Sequence, residues 1–368
     1  MSLDSVDTPA LLVDDARLDH NVRLMARLGR QHGKRLRPHI KTHKTLEIAR
    51  RQRDHGAVGL TVAKLGEAEV YAAAGFDDLL VCYPIVGPLK LARLAALAQS
   101  VTVSTVVDNA GAARDLAAAM TAAGVRLDVL LKLDVGMHRV GVGVEAGQVD
   151  RLAAAVAELP GLRLQGVCIH EGSVYGEADP ARRRTLGRDQ VQQLVATAER
   201  LRGQGLPIEV VSCGSTPSMA DVIDIDGLTE VRPGNYVFYD AMQVALGVID
   251  PERCALSVLT TVVSRGGADH AVIDAGTKVF SLDRGAHGLG LLPDYGRIIG
   301  RDDVRLASLS EEHGWLKLGE QAPLSVGERL LVLPNHACAV VNNFDKLTVV
   351  RDGEPVGEWD IAARGQVT

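Results

Sequence analysis

The run RPHIKTHK places Arg37, His39, Lys41, His43 and Lys44 at the end of an apolar, strand-like stretch of this 368-residue chain. In an extended strand Arg37, His39 and Lys41 share one face, because side chains alternate with a period of two. A lysine directed into a protein interior must be paired or reactive, since an unpaired buried ammonium is costly and its pKa falls toward neutrality. Such a lysine is the usual carrier of a Schiff base. A basic strand end facing solvent accounts for this segment equally well. Two later runs combine glycines with hydroxyl and amide donors: SCGSTPS, with Cys213, Gly214, Ser215 and Thr216, and RPGNY, with Arg232, Gly234, Asn235 and Tyr236. Glycines let backbone amides approach an anion, and the donors beside them complete a phosphate cradle. A third run, PNHACAVVNN, spaces His336 and Cys338 two apart in what reads as a strand, so both side chains can reach one ion. An imidazole and a thiolate favour zinc, whereas a carboxylate in place of the thiolate would favour manganese or magnesium. Two protein ligands leave open positions, as a catalytic metal site needs, although a lone His-x-Cys pair also occurs in plain core packing. Glu312 and His313 in SEEHG are candidates to support such a metal or to carry protons near it.

These groups need a scaffold that brings distant segments together. From about residue 36 to about residue 237, apolar runs such as DLLVCYP, TVSTVVD and LDVLLKLD alternate with Ala/Leu/Arg-rich amphipathic segments. That is the pattern of repeated β-α units and a parallel sheet. Eight alternations predict a (β/α)8 TIM barrel rather than an open doubly wound sheet. A barrel of this kind builds its active site at the carboxyl ends of its strands and commonly holds a phosphate after the seventh and eighth, where the two glycine runs stand. A reactive lysine and a phosphate cradle in one barrel suggest pyridoxal phosphate; without the lysine the same glycines are only turn residues. After about residue 245 the texture changes to β-branched runs separated by Gly, Asp and Pro, with almost no helical periodicity. The expected organisation is a cofactor-binding barrel over residues 1–245 and a C-terminal all-β domain over 246–368 that carries the His336/Cys338 pair. A first strand at about residues 8–13 has no barrel slot and can join the β domain.

Hydrophobic residues at 46% and charged residues at 23% describe an ordinary globular chain and exclude disorder. A net charge of -6, without a Lys/Arg block and with only 4 Phe, 2 Trp and 6 Tyr to stack on bases, argues against nucleic acid as a partner. The ligand expected is a small molecule. Five scattered cysteines without a CxxC indicate no disulfide framework, so a reducing, cytoplasmic location is expected. The opening MSLDSVDTPA is too polar for a signal peptide, and no apolar run reaches the roughly 20 residues needed to span a bilayer, so no membrane is expected.

The fifth strand ends in LDVGMHRVGVG. A strand followed by D-x-G-M-x-R-x-G resembles the loop of the fold-type III pyridoxal phosphate enzymes, the alanine racemase-like superfamily, whose arginine hydrogen-bonds the cofactor's phenolic oxygen. Arg139 is the matching residue. With PHIKTHK, VRPGNYVFYD, SEEHG and PNHACAVVNN, the chain resembles the D-serine dehydratase and D-threonine aldolase branch over nearly its whole length. The resemblance implies that Lys41 carries the Schiff base and that Gly214, Ser215, Thr216, Gly234 and Asn235 hold the phosphate, with Tyr236 beside them. It also implies a homodimer with active sites at the junction of barrel and β domain. One position departs from the family: the sixth strand, GVCIHEGSVY, ends with His170 where relatives usually set a tyrosine near the pyridine nitrogen. A histidine can donate to that nitrogen or share a proton with it, or simply pack against the ring. Glu171 and Tyr175 are expected to line the substrate cavity.

The activity this implies is a zinc- and pyridoxal-phosphate-dependent lyase, dehydrating β-hydroxy D-amino acids such as D-serine, D-threonine or D-3-hydroxyaspartate to a 2-oxo acid and ammonia. Lys41 would remove the α-proton while a metal on His336 and Cys338 assists departure of the β-hydroxyl. The alternative is a D-threonine aldolase giving glycine and an aldehyde; many of those carry His-x-Asp at the metal pair. A racemase has no evident use for the metal pair, and a non-catalytic pyridoxal phosphate carrier has none for the β domain.

Overall fold

The computed structural model of the chain describes residues 3–285, 289–320 and 322–368. In chain order its strands are β1 (Ala10–Asp14), β2 (Arg35–Leu36), β3 (Leu60–Val62), β4 (Asp78–Pro84), β5 (Thr102–Val107), β6 (Leu127–Asp134), β7 (Val142–Gly143), β8 (Leu162–Cys168), β9 (Val210–Cys213) and β10 (Glu230–Val231). Eight of these make one parallel sheet in the order β2-β10-β9-β8-β6-β5-β4-β3. A parallel bridge between His39 and Thr61 joins its two edges, so the sheet closes into the (β/α)8 barrel. Helices such as Pro88–Ala98, Ala110–Ala122 and Pro180–Gly203 return the chain between strands. Their starts are written in the sequence: the Asn109 side chain accepts from the Ala112 N–H, and Asp179 accepts from Ala181 and Arg182 with Pro180 in the first turn.

Period-two alternation sorts the barrel strands into two layers. Leu79, Val81, Val107, Leu131, Val167 and Val211 pack outward in the main core. Leu80, Val106, Leu130, Cys168 and Val210 turn inward and form a separate plug with Cys82. One inward step further toward the carboxyl ends come Asp108, Lys132, His170 and Ser212, so the apolar plug gives way to a polar layer at the barrel mouth.

The remaining strands are β11 (Leu256–Ser264), β12 (His270–Ile273), β13 (Gly296–Ile298), β14 (Val304–Leu309), β15 (Gly314–Leu318), β16 (Arg329–Pro334), β17 (Lys346–Arg351) and β18 (Glu354–Asp360). Antiparallel β12-β15-β14-β13-β16-β11 closes on itself through a β11–β12 pairing. β1 lies antiparallel to β11 and parallel to β17, so strands from both ends of the chain share this second sheet.

Two local expectations fail. The strand expected across LRPHIK is only Arg35–Leu36; Lys41 lies in a one-turn 3-10 helix, Ile40–Thr42. PNHACAVVNN is not a strand: β16 stops at Pro334, and Ala337–Val341 is a short helix with His336 at its N-cap.

Candidate active site at the barrel mouth

Side-chain capping decides the geometry around Lys41. The His39 ring accepts the Lys41 N–H through Nδ1 at 3.4 Å and starts the 3-10 turn, offering the backbone an alternative to the sheet ladder. Arg37 therefore does not share a face with Lys41; its guanidinium pairs with Asp78 at 2.6 Å and Glu230 at 3.0 Å, at the amino ends of β4 and β10. The two lysines of the run are also distinct. Lys44 is buried, donating to Asn342 Oδ1 at 2.8 Å and pairing with Glu67 at 3.3 Å. Lys41 is half-buried, and its Nζ has no partner among the described residues. Burial first, and then the neighbouring Lys41 charge, push the pKa of His39 and of His170 well below the ordinary histidine value.

His170 stands at the end of β8, with Nδ1 2.7 Å from the carbonyl oxygen of Gly214. A carbonyl can only accept, so Nδ1 carries the proton and the neutral ring leaves Nε2 as an acceptor. The next residue, Glu171, does not line the substrate cavity as expected. It is fully buried beneath the loop after β9, where Oε2 accepts the Gly214 N–H at 3.0 Å and Oε1 accepts the Ser218 hydroxyl at 3.1 Å.

Above that carboxylate, Ser215 Oγ and Thr216 Oγ1 are buried without a hydrogen-bond partner, as is Lys132 Nζ in the polar layer. Folded interiors leave few such atoms unpaired, and two adjacent buried hydroxyl donors on the loop after β9 suit an anionic, phosphate-bearing ligand such as pyridoxal phosphate. The glycines have a different reason from the one expected. A Cβ on Gly214 would lie 2.6 Å from the Arg232 backbone, and one on Gly234 2.8 Å from the His39 carbonyl oxygen. They let the two loops pack on their neighbours rather than open room for a ligand. The Asn235 side chain is oriented by Asp240, donating one Nδ2 hydrogen to Oδ2 at 2.6 Å. Tyr236 turns its ring into the core, where its hydroxyl accepts from Gln52 at 3.0 Å.

The loop after β6 is folded on Asp134, whose Oδ1 accepts the N–H groups of Gly136 at 3.0 Å, Met137 at 2.9 Å and His138 at 3.1 Å. Partial burial opposes ionisation, but these donors hold the Asp134 pKa below its usual value. Arg139 leaves this loop exposed and with no ion pair among the described residues, free to meet a ligand at the mouth.

His336 and Cys338 converge because an N-cap and the second residue of a helix sit on one turn, not through strand alternation. Cys338 Sγ lies 3.2 Å from Thr42 Oγ1, beside Lys41. His336 Nδ1 is 2.5 Å from Asp283 Oδ2, so Nδ1 carries a proton and the carboxylate orients the ring. Burial works against charge on both, yet the thiolate and Asp283 raise the His336 pKa well above its ordinary value, and His336 and Lys41 hold the Cys338 thiol below its own. Imidazole, thiolate and an orienting carboxylate are the donor set a zinc ion would take. No group of three or more His, Cys, Asp or Glu side chains suited to a metal occurs among the described residues. Glu312 and His313 are not the supporting pair: both are exposed, and Glu312 pairs with Lys278.

Asp240 was not singled out from the sequence, although it closes the VRPGNYVFYD run. It is fully buried, accepting from Asn235 and, at 2.9 Å, from the Ala337 N–H between His336 and Cys338. It thereby ties the loop after β10 to the helix of the His/Cys pair. Tyr175, expected at the cavity, packs with Met242 and Leu246; burial first, then the charges of Asp240 and Cys338, raise its pKa.

The alanine racemase N-terminal domain family matches residues 13–241, and the putative serine dehydratase domain family matches residues 255–350. D-threo-3-hydroxyaspartate dehydratase of Delftia sp. (strain HT23) is 35% identical over 372 residues, covering 97% of this chain and 97% of that protein. D-threonine aldolase of Arthrobacter sp. is 35% identical over 366 residues, covering 98% of this chain and 93% of that protein. The crystal structure of D-threonine aldolase from Filomicrobium marinum superposes with a TM-score of 0.91 at 35% identity, covering 100% of this chain and 98% of that one. The chain therefore belongs to the alanine racemase-like, fold-type III pyridoxal phosphate enzymes, in the branch that holds the D-serine dehydratases and D-threonine aldolases.

Proposed function

We propose that this protein is a pyridoxal-phosphate- and zinc-dependent lyase that dehydrates β-hydroxy D-amino acids to a 2-oxo acid and ammonia. The observation that carries the reading is the meeting of the Lys41 turn with the His336/Cys338 helix at the Thr42–Cys338 contact, which sets an amine base beside a His/Cys pair. Lys41, with no other partner, would hold the cofactor and take the α-proton of the substrate. Ser215 and Thr216, with the backbone of Gly234 and Asn235, would bind the phosphate, and Arg139 the phenolic oxygen. His170 offers an acceptor at Nε2, which suits a protonated ring nitrogen. Bound there, pyridoxal phosphate supplies an electron-withdrawing ring that stabilises negative charge at the α-carbon. Zinc on His336 and Cys338 supplies Lewis acidity to a departing hydroxyl.

Cleavage to glycine and an aldehyde uses the same residues, and the similarity to a D-threonine aldolase keeps it as the second reading. Cys338 favours elimination, because a thiolate selects zinc over the harder ions that activate an alkoxide. D-threonine decides: 2-oxobutyrate and ammonia support the dehydratase, whereas glycine and acetaldehyde as main products, or manganese as the better activator after chelation, install the aldolase. The cytoplasm is the proposed location, supported by five cysteines that are all free. A homodimer is part of the same reading, to be checked by light scattering.

A further inference from the structure

Residues of the candidate site come from two different sheets, and one buried side chain spans them. We propose that Lys44 is a positioning residue: with Glu67 and Asn342 it latches the turn carrying Lys41 to the helix carrying Cys338, and so sets the spacing between base and metal pair. This rests on the lyase reading above.

Lys44 follows the Ile40–Thr42 turn and has a φ of 53°, a region few residues other than glycine occupy. Its Nζ reaches two elements at once, Asn342 at 2.8 Å and Glu67 at 3.3 Å. Asn342 is the C-cap of the Ala337–Val341 helix. Glu67, in the first turn of the helix after β3, is held from its other side by the Ala63 N–H at 2.6 Å. The end of the chain clamps the same point: the Ala363 N–H donates to the Lys44 carbonyl at 3.1 Å and the Gly365 N–H to Asn342 Oδ1 at 3.5 Å. Buried ion pairs contribute little net stability, because desolvation offsets their attraction. What this one supplies is registration between barrel and β sheet. His336 and Cys338 sit on one helix start that Asp240 ties to the loop after β10, so loosening the latch leaves these in place and lets the turn carrying Lys41 shift away from them. Displacing reacting groups by about 1 Å costs on the order of 100-fold in rate.

The test is the double variant Lys44→Met/Glu67→Met, which removes both charges at similar volume and leaves neither buried alone. Its affinities for Zn2+ and for pyridoxal phosphate should stay within about twofold of wild type, while kcat on D-threonine falls roughly 30- to 100-fold at nearly unchanged KM. Lys44→Arg should recover part of the loss. Should the double variant not fold, Asn342→Ala carries the same comparison. A readout independent of turnover is amide exchange: Zn2+ added to the wild-type holoenzyme should slow exchange in residues 337–342 and also in 40–45, and in the double variant only in 337–342. Wild-type kcat in the double variant, or zinc protection of the wild-type protein confined to 337–342, would overturn the latch. A wild-type protein that consumes neither D-threonine nor D-serine overturns the lyase reading instead, and the exchange data alone then decide the latch.

Discussion

Replacing Glu171 by alanine should loosen the protein's hold on the cofactor phosphate without touching the reacting groups. The carboxylate is fully buried and supports the loop after β9 through the Gly214 N–H at 3.0 Å and the Ser218 hydroxyl at 3.1 Å. Hydrogen bonds to a charged group are worth roughly 1.5–3 kcal/mol, and alanine would also leave the Gly214 N–H buried without an acceptor, at roughly 1–3 kcal/mol. Part of that loss lowers overall stability, and part shows up in binding, because the loop must then order as the phosphate arrives. If about 2 kcal/mol reaches binding, the Kd for pyridoxal phosphate rises about 30-fold. Glu171→Gln is milder. Its carbonyl oxygen still accepts from Gly214, and its amide can donate to Ser218 Oγ, which already lies 3.3 Å from the Ser215 carbonyl oxygen. A loss of about 1 kcal/mol there corresponds to about fivefold. Absorbance titration of each apoprotein with pyridoxal phosphate measures the Kd, and turnover at saturating cofactor should return to within about threefold of wild type. An alanine variant with Kd within twofold of wild type would refute the supporting role. So would a raised substrate KM at unchanged cofactor affinity, which would return Glu171 to the substrate cavity.

Three further outcomes follow from the same geometry. Lys41→Ala should abolish the visible cofactor band and its fixation by borohydride, and Lys44 should not take over, since its Nζ is held by Glu67 and Asn342; a fixed adduct on Lys44 would refute this. Burial lowers the His43 pKa from 6.5 to about 3, so the unfolded chain takes up this proton first as pH falls, and stability present above 6.5 is lost between 6.5 and 3. The loss is about 2 kcal/mol at pH 5, read as a drop in urea midpoint between pH 7.5 and 5 that His43→Gln should reduce; equal drops in both proteins would refute it. Cys338→Asp should shift the preferred ion from zinc toward manganese and the products of D-threonine from 2-oxobutyrate toward glycine, and unchanged products would sever metal ligand from reaction type.

Much of the fold was legible because barrel strands announce themselves twice, once as apolar runs and once through the helices between them. DLLVCYP, TVSTVVD and LDVLLKLD are observed as strands at nearly those limits. What misled was strand periodicity applied to short polar segments. In RPHIKTHK the His39 ring captures a backbone N–H and turns the chain after two strand residues, and in PNHACAVVNN a helix begins where alternation suggested a strand. The first error also broke an expected grouping, since Arg37 pairs with Asp78 and Glu230 instead of facing Lys41, whereas His336 and Cys338 still converge because a helix N-terminus gathers neighbouring residues on one side.

The supporting groups were harder to see, for a physical reason. Asp283 meets His336 from 53 residues away, and Asp240 reaches the Ala337 N–H from 97 residues away, so neither has a local spacing that betrays its partner. Glu312 and His313 stood out instead because adjacent polar residues are conspicuous in a sequence, yet they occupy an exposed hairpin where, among the described residues, Glu312 meets only the exposed Lys278. The groups proposed to react stand out by their chemistry, whereas the groups that orient them are ordinary aspartates until the two sheets meet. Asp240 makes the point most directly. It is a buried carboxylate that satisfies Asn235 on the loop after β10 and Ala337 on the helix of the His336/Cys338 pair, so that loop and that helix cannot move independently while it stays in place.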